Sequence, residues 1–195
     1  MKRTLSFFTL TAALLFSMQL RAMPIQFQAI LDGGQEVPPN ASTASGTASL
    51  ELNAAQDRLE MLITLVGLDL DGNQTADPLD DVFAGHIHAA PAGLNGGVVF
   101  GFLAPNNDTN GDLAIDPVAG TIFSGWDINE GAGTTLDAQL PALFSGGLYF
   151  NFHTPGFPGG EIRGQITPVR VPVPASTALL ALGLAGLVTA RRRRA

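Results

Sequence analysis

The middle of the chain is built from short runs in which apolar and polar residues alternate, separated by Gly, Pro, Asn and Asp. Alternation with a period of two is typical of strands that bury one face, and the separating residues favour turns. The pattern predicts eight strands, at residues 25–31, 45–52, 59–68, 82–89, 97–103, 120–128, 147–154 and 161–167. We therefore expect an all-β, antiparallel, Greek-key-like β-sandwich or flattened barrel of about eight strands.

One short segment, Leu136–Ser145, favours a helix instead, and we expect Pro141 to interrupt it.

Both ends of the chain differ from this middle part. Residues 1–22 combine Lys2 and Arg3 with an apolar run, the layout of a secretory signal peptide. Residues 171–195 contain an uncharged apolar segment at 175–190 followed by four arginines, which predicts a transmembrane helix with a cytoplasmic end. Residues 23–170 are then expected to form one exported domain.

Charge narrows the choice of partners for that domain. All seventeen acidic residues lie between Asp32 and Glu161, against only Arg58, Arg163 and Arg170, which gives residues 23–170 a net charge of −14. Such a domain is repelled by nucleic acid, and we expect no nucleic-acid partner. The chain has no cysteine, so packing or bound ions must stabilise the domain.

The alternation places every histidine of the chain on a polar strand face. His86 and His88 lie opposite Ile87, and His153 lies on the side opposite the flanking phenylalanines. In the last strand, Glu161 shares a face with Arg163.

Two imidazoles in a His-x-His strand lie about 7 Å apart at the backbone, and a third from a neighbouring strand completes a three-nitrogen copper or zinc site. Glu161 or Glu36 is a candidate carboxylate ligand. The alternative is a hydrogen-bonded polar network in which His86 or His88 bonds to backbone and Glu161 pairs with Arg163.

The sequence gives little indication that the protein is an enzyme. A binuclear copper–zinc dismutase centre uses six histidines, and the chain has three. No nucleophile-elbow motif indicates a serine hydrolase. We expect a binding or structural module rather than an enzyme, with a mononuclear copper or zinc carrier or small redox enzyme as the alternative.

An acidic segment before the His-x-His strand has oxygen side chains at the spacing of a calcium loop. Gln74 replaces the glycine expected at the sixth position, and strands rather than helices flank the segment. A solvated loop is the alternative. The predicted calcium ligands are Asp69, Asp71, Asn73, Asp77 and Asp80.

Three motifs in order, LDGGQEVPPNASTASGTASLEL, GHIHAAPAGLNGGVVF and YFNFHTPGFPGGEIRGQI, resemble a CHRD domain over about residues 25 to 168. The resemblance implies an extracellular β-sandwich module without a known reaction. The family's hallmark positions fall on Glu36, Val37, Pro38, His86, Ile87, His88, His153, Gly160, Glu161, Arg163 and Gly164.

The C-terminal segment is similar to a PEP-CTERM sorting tail of Gram-negative bacteria, with a box at Val171, Pro172 and Pro174 and a cluster at Arg191, Arg192, Arg193 and Arg194. Val173 stands where that tail usually has Glu. The resemblance implies processing by an exosortase and export through the inner membrane to the periplasm, cell surface or extracellular matrix. An extracellular protein or polysaccharide is the expected binding partner, and the tail is the expected membrane contact.

Overall fold

The computed structural model describes residues 23–170. The signal peptide predicted at 1–22 and the sorting tail predicted at 171–195, with its helix at 175–190, lie outside the described residues. Within 23–170, no helix has the length and apolar character needed to cross a membrane.

Ten antiparallel strands and one helix make up the described residues, with a 3-10 turn at Gly33–Gln35 after the first strand. The strands are β1 Ile25–Asp32, β2 Ser45–Leu52, β3 Arg58–Val66, β4 Ala84–Ala89, β5 Gly97–Gly101, β6 Ala114–Asp116, β7 Thr121–Asp127, β8 Leu148–Thr154, β9 Phe157–Gln165 and β10 Thr167–Pro168, and the helix is α1 Leu136–Ser145.

The strands form one continuous sheet in the order β5-β4-β8-β9-β1-β2-β3-β7-β6, with β10 paired to β1. This sheet curves into a half-barrel. The all-β, antiparallel prediction is confirmed, whereas the described architecture is a single curved sheet rather than a two-sheet sandwich.

The apolar faces of the strands line the inside of this curve. Phe100 in β5 and Trp126 in β7 stack with their ring centroids 5.1 Å apart, although their strands stand near opposite edges of the sheet. Leu136 and Leu143 of α1 are fully buried in the same core. The sheet therefore closes over one core, with α1 filling part of its open side.

The predicted strands match the observed ones to within a few residues, and β2 matches at both ends. The sequence pattern missed the three-residue strand β6 and the two-residue strand β10, which are too short to show alternation. The prediction that Pro141 interrupts the helix is wrong, because α1 continues through it to the left-handed Gly146.

The outer faces of β4, β8 and β9 are polar and yet buried. Tyr149, Asn151, Glu161 and Arg163 on these faces are at most 5% exposed. The turn at Gly33–Gln35, the loops after β4 and β5 and the start of β9 contribute groups that bond to this polar face. Half of the sheet thus has a second, polar interior, and all three histidines lie in it.

Candidate metal centre

Strand pairing brings the three histidines together. His86 and His88 lie two residues apart in β4, and β8 runs antiparallel beside it with Asn151 opposite His86 and His153 opposite Ala84. The ring centroid of His86 is 5.4 Å from that of His88 and 5.2 Å from that of His153. The predicted shared face is confirmed, and the neighbouring strands place the rings side by side.

Each imidazole is oriented by one backbone carbonyl, two from the loops after β4 and β5 and one from the start of β9. His86 Nε2 lies 2.6 Å from the Ala104 oxygen, His88 Nδ1 lies 3.0 Å from the Gly96 oxygen, and His153 Nδ1 lies 3.1 Å from the Pro158 oxygen. Since a carbonyl only accepts hydrogen bonds, each of these nitrogens carries the proton. The other nitrogen of each neutral ring then has a free lone pair.

Those other nitrogens are buried and have no hydrogen-bond partner among the described residues: His86 Nδ1, His88 Nε2 and His153 Nε2. One ring nitrogen from each residue also lies within 4.8 Å of those from the other two. Ligation by imidazole at ~2.0–2.1 Å requires the three rings to approach one another further. The three residues present therefore fit a single metal ion.

Electrostatics keeps the rings neutral. Burial lowers the pKa of His86 and of His153 below the usual value of 6.5. Burial lowers the pKa of His88 to about 4, with further contributions from the other two histidines and from Arg163. All three rings are neutral at pH 7, which is the form that binds a metal.

Of the alternative polar network, the hydrogen bonds from His86 and His88 to backbone are present. The ion pair between Glu161 and Arg163 is absent from the described residues, whose salt bridges all involve Arg58. Glu161 instead accepts hydrogen bonds from the hydroxyls of Ser42, at 2.6 Å, and Thr154. The group of converging ligand atoms does not include Glu161. In this geometry Glu161 joins the loop before β2 to β8.

Arg163 is 1% exposed and lies with its guanidinium carbon 3.4 Å from the centroid of the Tyr149 ring. The same tyrosine ring stacks on His88, with centroids 5.0 Å apart and planes at 11°. Asn95 accepts a hydrogen bond of 3.2 Å from Arg163. Arg163 therefore packs on one side of the polar face against Tyr149, and Tyr149 in turn stacks on the His88 ring.

Glu36, the other candidate carboxylate, is 5% exposed, and its Oε1 has no partner among the described residues. Burial raises its pKa to about 7, although the charge of Arg163 and the backbone N–H of Val37 act in the opposite direction. Glu36 is likewise outside the converging group of histidines.

Two other hallmark residues shape the backbone around the centre. Pro38 follows a cis peptide bond, directly after Val37, whose carbonyl accepts a hydrogen bond from Asn95 at 2.8 Å. A Cβ on Gly164 would lie 2.6 Å from the carbonyl oxygen of Ile30, so only glycine allows β9 to approach β1 there.

The acidic loop has a different organisation from the one its spacing predicts. Asp69 is fully buried, and its carboxylate accepts hydrogen bonds from the backbone N–H groups of Asp71, Gly72, Gln74 and Thr75. Burial raises the pKa of Asp69, but these four donors outweigh it and lower the pKa to about 2. Asp69 thus organises the loop backbone.

The carboxylates that converge in this loop belong to Asp69, Asp80 and Asp81, within 4.8 Å of one another. Asp71 and Asp77 of the predicted ligand set lie outside that group, and the Asn73 amide donates a hydrogen bond to the backbone carbonyl of Asp71. The sequence analysis did not predict Asp81, because Asp81 comes one residue after the last position of the calcium-loop spacing. Burial and the charges of the neighbouring aspartates raise its pKa.

Sequence reasoning also missed Asn151 and the three carbonyls that orient the rings. Asn151 was recognisable from its position on the polar face of β8, two residues before His153. The carbonyls of Ala104, Gly96 and Pro158 had no sequence signal, since any residue supplies a carbonyl.

Comparison with known proteins gives two matches. The model of the CHRD domain family matches residues 27–166, and that of the PEP-CTERM protein-sorting motif matches residues 170–194. No curated protein and no solved structure matches the chain. Both resemblances drawn from the sequence are confirmed.

Proposed function

The chain belongs to the CHRD domain family, and from that premise we propose that it is a surface-sorted protein whose CHRD domain binds one copper or zinc ion through His86, His88 and His153. The PEP-CTERM motif implies export and sorting to the cell envelope or surface, with an exosortase as the processing partner.

One observation carries the metal proposal. Three strand-borne imidazoles converge, and each has one buried ring nitrogen without a partner, while its second nitrogen bonds to a carbonyl. A buried polar atom without a partner costs about 1–3 kcal/mol, so three together are unfavourable unless something binds them. Orientation of each ligand ring by an outer hydrogen bond is typical of protein metal sites.

The donor set indicates the kind of metal. Neutral imidazole nitrogens suit copper and zinc, whereas calcium and magnesium prefer oxygen. Three protein ligands leave a fourth position for water or a small exogenous ligand. A bound ion would supply Lewis acidity at that position or, for copper, a one-electron redox couple.

The binding role toward an extracellular protein or polysaccharide stays a prediction. A surface cleft of about 370 Å³, bordered by Gln35, Glu36, Arg163 and Gln165, is large enough for a small ligand. Arg163 in the wall of this cleft packs on Tyr149, the ring that stacks on His88.

The metal proposal is tested by elemental analysis of the full chain, purified without chelator and with a tag that contains no histidine. We expect about one equivalent of copper or zinc. Because loss of an outer-shell partner alone typically weakens metal binding by about 10–100-fold, we expect His86→Ala, His88→Ala or His153→Ala to weaken it by at least about a hundredfold.

Glu161→Gln is the matched control, since Glu161 is buried on the same polar face but has both oxygens occupied by hydroxyls. We expect it to retain the metal. The lowered pKa values of the histidines also predict that binding persists below pH 6.5. Protein that contains no metal after copper and zinc have been supplied, or histidine variants that bind as the wild type does, would refute the proposal.

A further inference from the structure

A stack of three side chains on the polar face ends at one of the metal-binding histidines. The Arg163 guanidinium carbon lies 3.4 Å from the centroid of the Tyr149 ring, and that ring stacks on His88 with centroids 5.0 Å apart. Tyr149 is the middle member, because β8 lies between β4, which carries His88, and β9, which carries Arg163. The guanidinium carbon is therefore at most 8.4 Å from the centre of the His88 ring, the sum of the two separations.

The guanidinium is a buried charge whose hydrogen-bond partners are neutral. Arg163 is 1% exposed. It donates to Asn95 Oδ1 at 3.2 Å and, at 3.4 Å, to the carbonyl of Pro91 and to Gln165 Oε1. Within residues 23–170 it forms no salt bridge. Because a guanidinium stays protonated and a buried charge is screened less than an exposed one, the Arg163 charge acts on its surroundings at all ordinary pH values.

Two buried carboxyl groups near Arg163 leave this charge unpaired. Glu161, two residues earlier in β9, accepts hydrogen bonds from the hydroxyls of Ser42 and Thr154 instead. The Arg163 charge acts on Glu36, but burial raises the pKa of Glu36 to about 7, so Glu36 is mostly neutral at pH 6.

A fixed positive charge beside the centre disfavours ions of higher charge. The converging ligand atoms belong to three imidazoles, and within residues 23–170 no carboxylate joins that group, so the ligands leave the charge of the ion uncompensated. An ion one ligand bond from the His88 ring is on the order of 10 Å from the guanidinium. At an effective dielectric constant of about 20, each added positive charge on the ion is then disfavoured on the order of tenfold.

We propose that the stack of Arg163, Tyr149 and His88 selects Cu(I) as the ion of the centre, by weakening the binding of Cu(II) and other divalent ions relative to Cu(I). This inference rests on the proposed metal site and names the charge state that it favours. Tyr149 holds the guanidinium at a fixed distance, and Arg163 acts on the ion through space without touching it.

The test compares the Cu(I) and Cu(II) affinities of the full chain at pH 6, each measured by competition with a coloured chelator and the Cu(I) series without oxygen. The readout is the ratio of the two dissociation constants. Arg163→Met removes the charge and keeps an apolar side chain of similar length on Tyr149. We expect it to shift the ratio toward Cu(II) on the order of tenfold. Arg163→Lys keeps the charge and should recover most of the wild-type ratio.

Asn95→Asp is a second variant that requires little change in packing. Asn95 is exposed, and its side-chain oxygen already accepts a hydrogen bond from Arg163. A carboxylate at this position pairs with the guanidinium and offsets its charge. We expect a shift toward Cu(II) that is smaller than that of Arg163→Met, because solvent screens an exposed carboxylate.

Arg170→Met is the control for loss of one positive charge. Arg170 is exposed, and its neighbour Val169 bonds to Gln26 at the start of β1, whereas Arg163 pairs with Asp32 at the end of that strand. The control should have the wild-type ratio.

The outcomes separate the two proposals. A ratio that stays unchanged in both Arg163→Met and Asn95→Asp, or that changes equally in Arg163→Lys and Arg163→Met, overturns the role of the charge and leaves the metal site in place. Thermal melting identifies any variant that does not fold, and Asn95→Asp then decides. Failure of the wild type to bind either copper ion overturns the metal proposal and this inference with it.

Discussion

At the scale of single residues, Glu36 gives the metal-free protein a specific pH dependence. Its pKa rises from 4.5 to about 7 on folding, chiefly through burial. A group with a raised folded pKa stabilises the protein below its unfolded pKa, and that contribution is lost as pH rises through the folded value. Glu36 therefore favours folding fully below pH 4.5 and less and less up to pH 7.

We expect Glu36→Gln to become more stable relative to the wild type as pH rises from 4.5 to 7, and the difference to level off above that range. Urea unfolding of both proteins in chelator measures it. The histidines have the opposite dependence, since their lowered pKa values reduce stability as pH falls. They are common to both proteins and cancel in the difference. A difference that does not vary with pH would show that Glu36 is not desolvated.

The candidate site was partly predictable at this scale. Alternation alone places His86, His88 and His153 on polar faces, and their pairing follows once β4 and β8 are neighbours. The role of Glu161 was not predictable, because its partners Ser42 and Thr154 approach from a loop and another strand. Spacing along the chain cannot show which acceptors are already occupied.

At the scale of elements, the acidic loop also shows that spacing along the chain does not reveal which oxygens are already occupied by hydrogen bonds. The sequence places oxygens at calcium-loop spacing, but Asp69 bonds to four backbone N–H groups of its own loop. The loop is folded around that carboxylate. The carboxylates that meet belong to residues 69, 80 and 81.

Calcium binding by this loop stays a prediction, and a melting experiment tests it. We expect millimolar calcium to raise the Tm of the protein, because a cation relieves the repulsion that raises the pKa of Asp81. A ligand at a hundredfold excess over its Kd stabilises the native state by ~2.7 kcal/mol. Asp81→Asn should reduce the rise, and Asp116→Asn, at an exposed site, should leave it unchanged. A Tm that calcium leaves unmoved in the wild type would identify an ordinary solvated loop.

Strand positions were the most predictable feature of the elements. Long alternating runs such as Ser45–Leu52 fix both the strand and its buried face, since a shift of one residue would reverse every side chain. The short strands β6 and β10 exist because β7 and β1 offer them an edge. These two strands form because of their partner strands, so their own residues do not predict them.

At the scale of the whole molecule, the curvature of the sheet could not be predicted from the alternation of apolar and polar residues. Alternation assigns faces to strands but does not say whether two sheets stack or one sheet bends. The contact between Phe100 and Trp126 and the pairing of β1 with β9, which joins the first and last long strands, close the sheet into a half-barrel. Both depend on residues far apart in the chain.

This closure also explains why the domain has two interiors. The apolar one stabilises the fold, and the polar one between the sheet and its covering loops holds histidines that are neutral and partly unpartnered. Because burial of unpartnered nitrogens is costly, the polar interior is the part of the molecule whose form is best explained by a ligand.

X-ray absorption spectroscopy of the metal-loaded protein observes the ligands of the proposed metal centre directly. For copper or zinc bound at the centre, we predict a first shell of about three imidazole nitrogens at ~2.0–2.1 Å with one further light-atom ligand. The imidazole scattering should be lost in a variant that lacks His86, His88 and His153. A first shell made only of oxygen, or one that this triple variant retains, would contradict the metal centre.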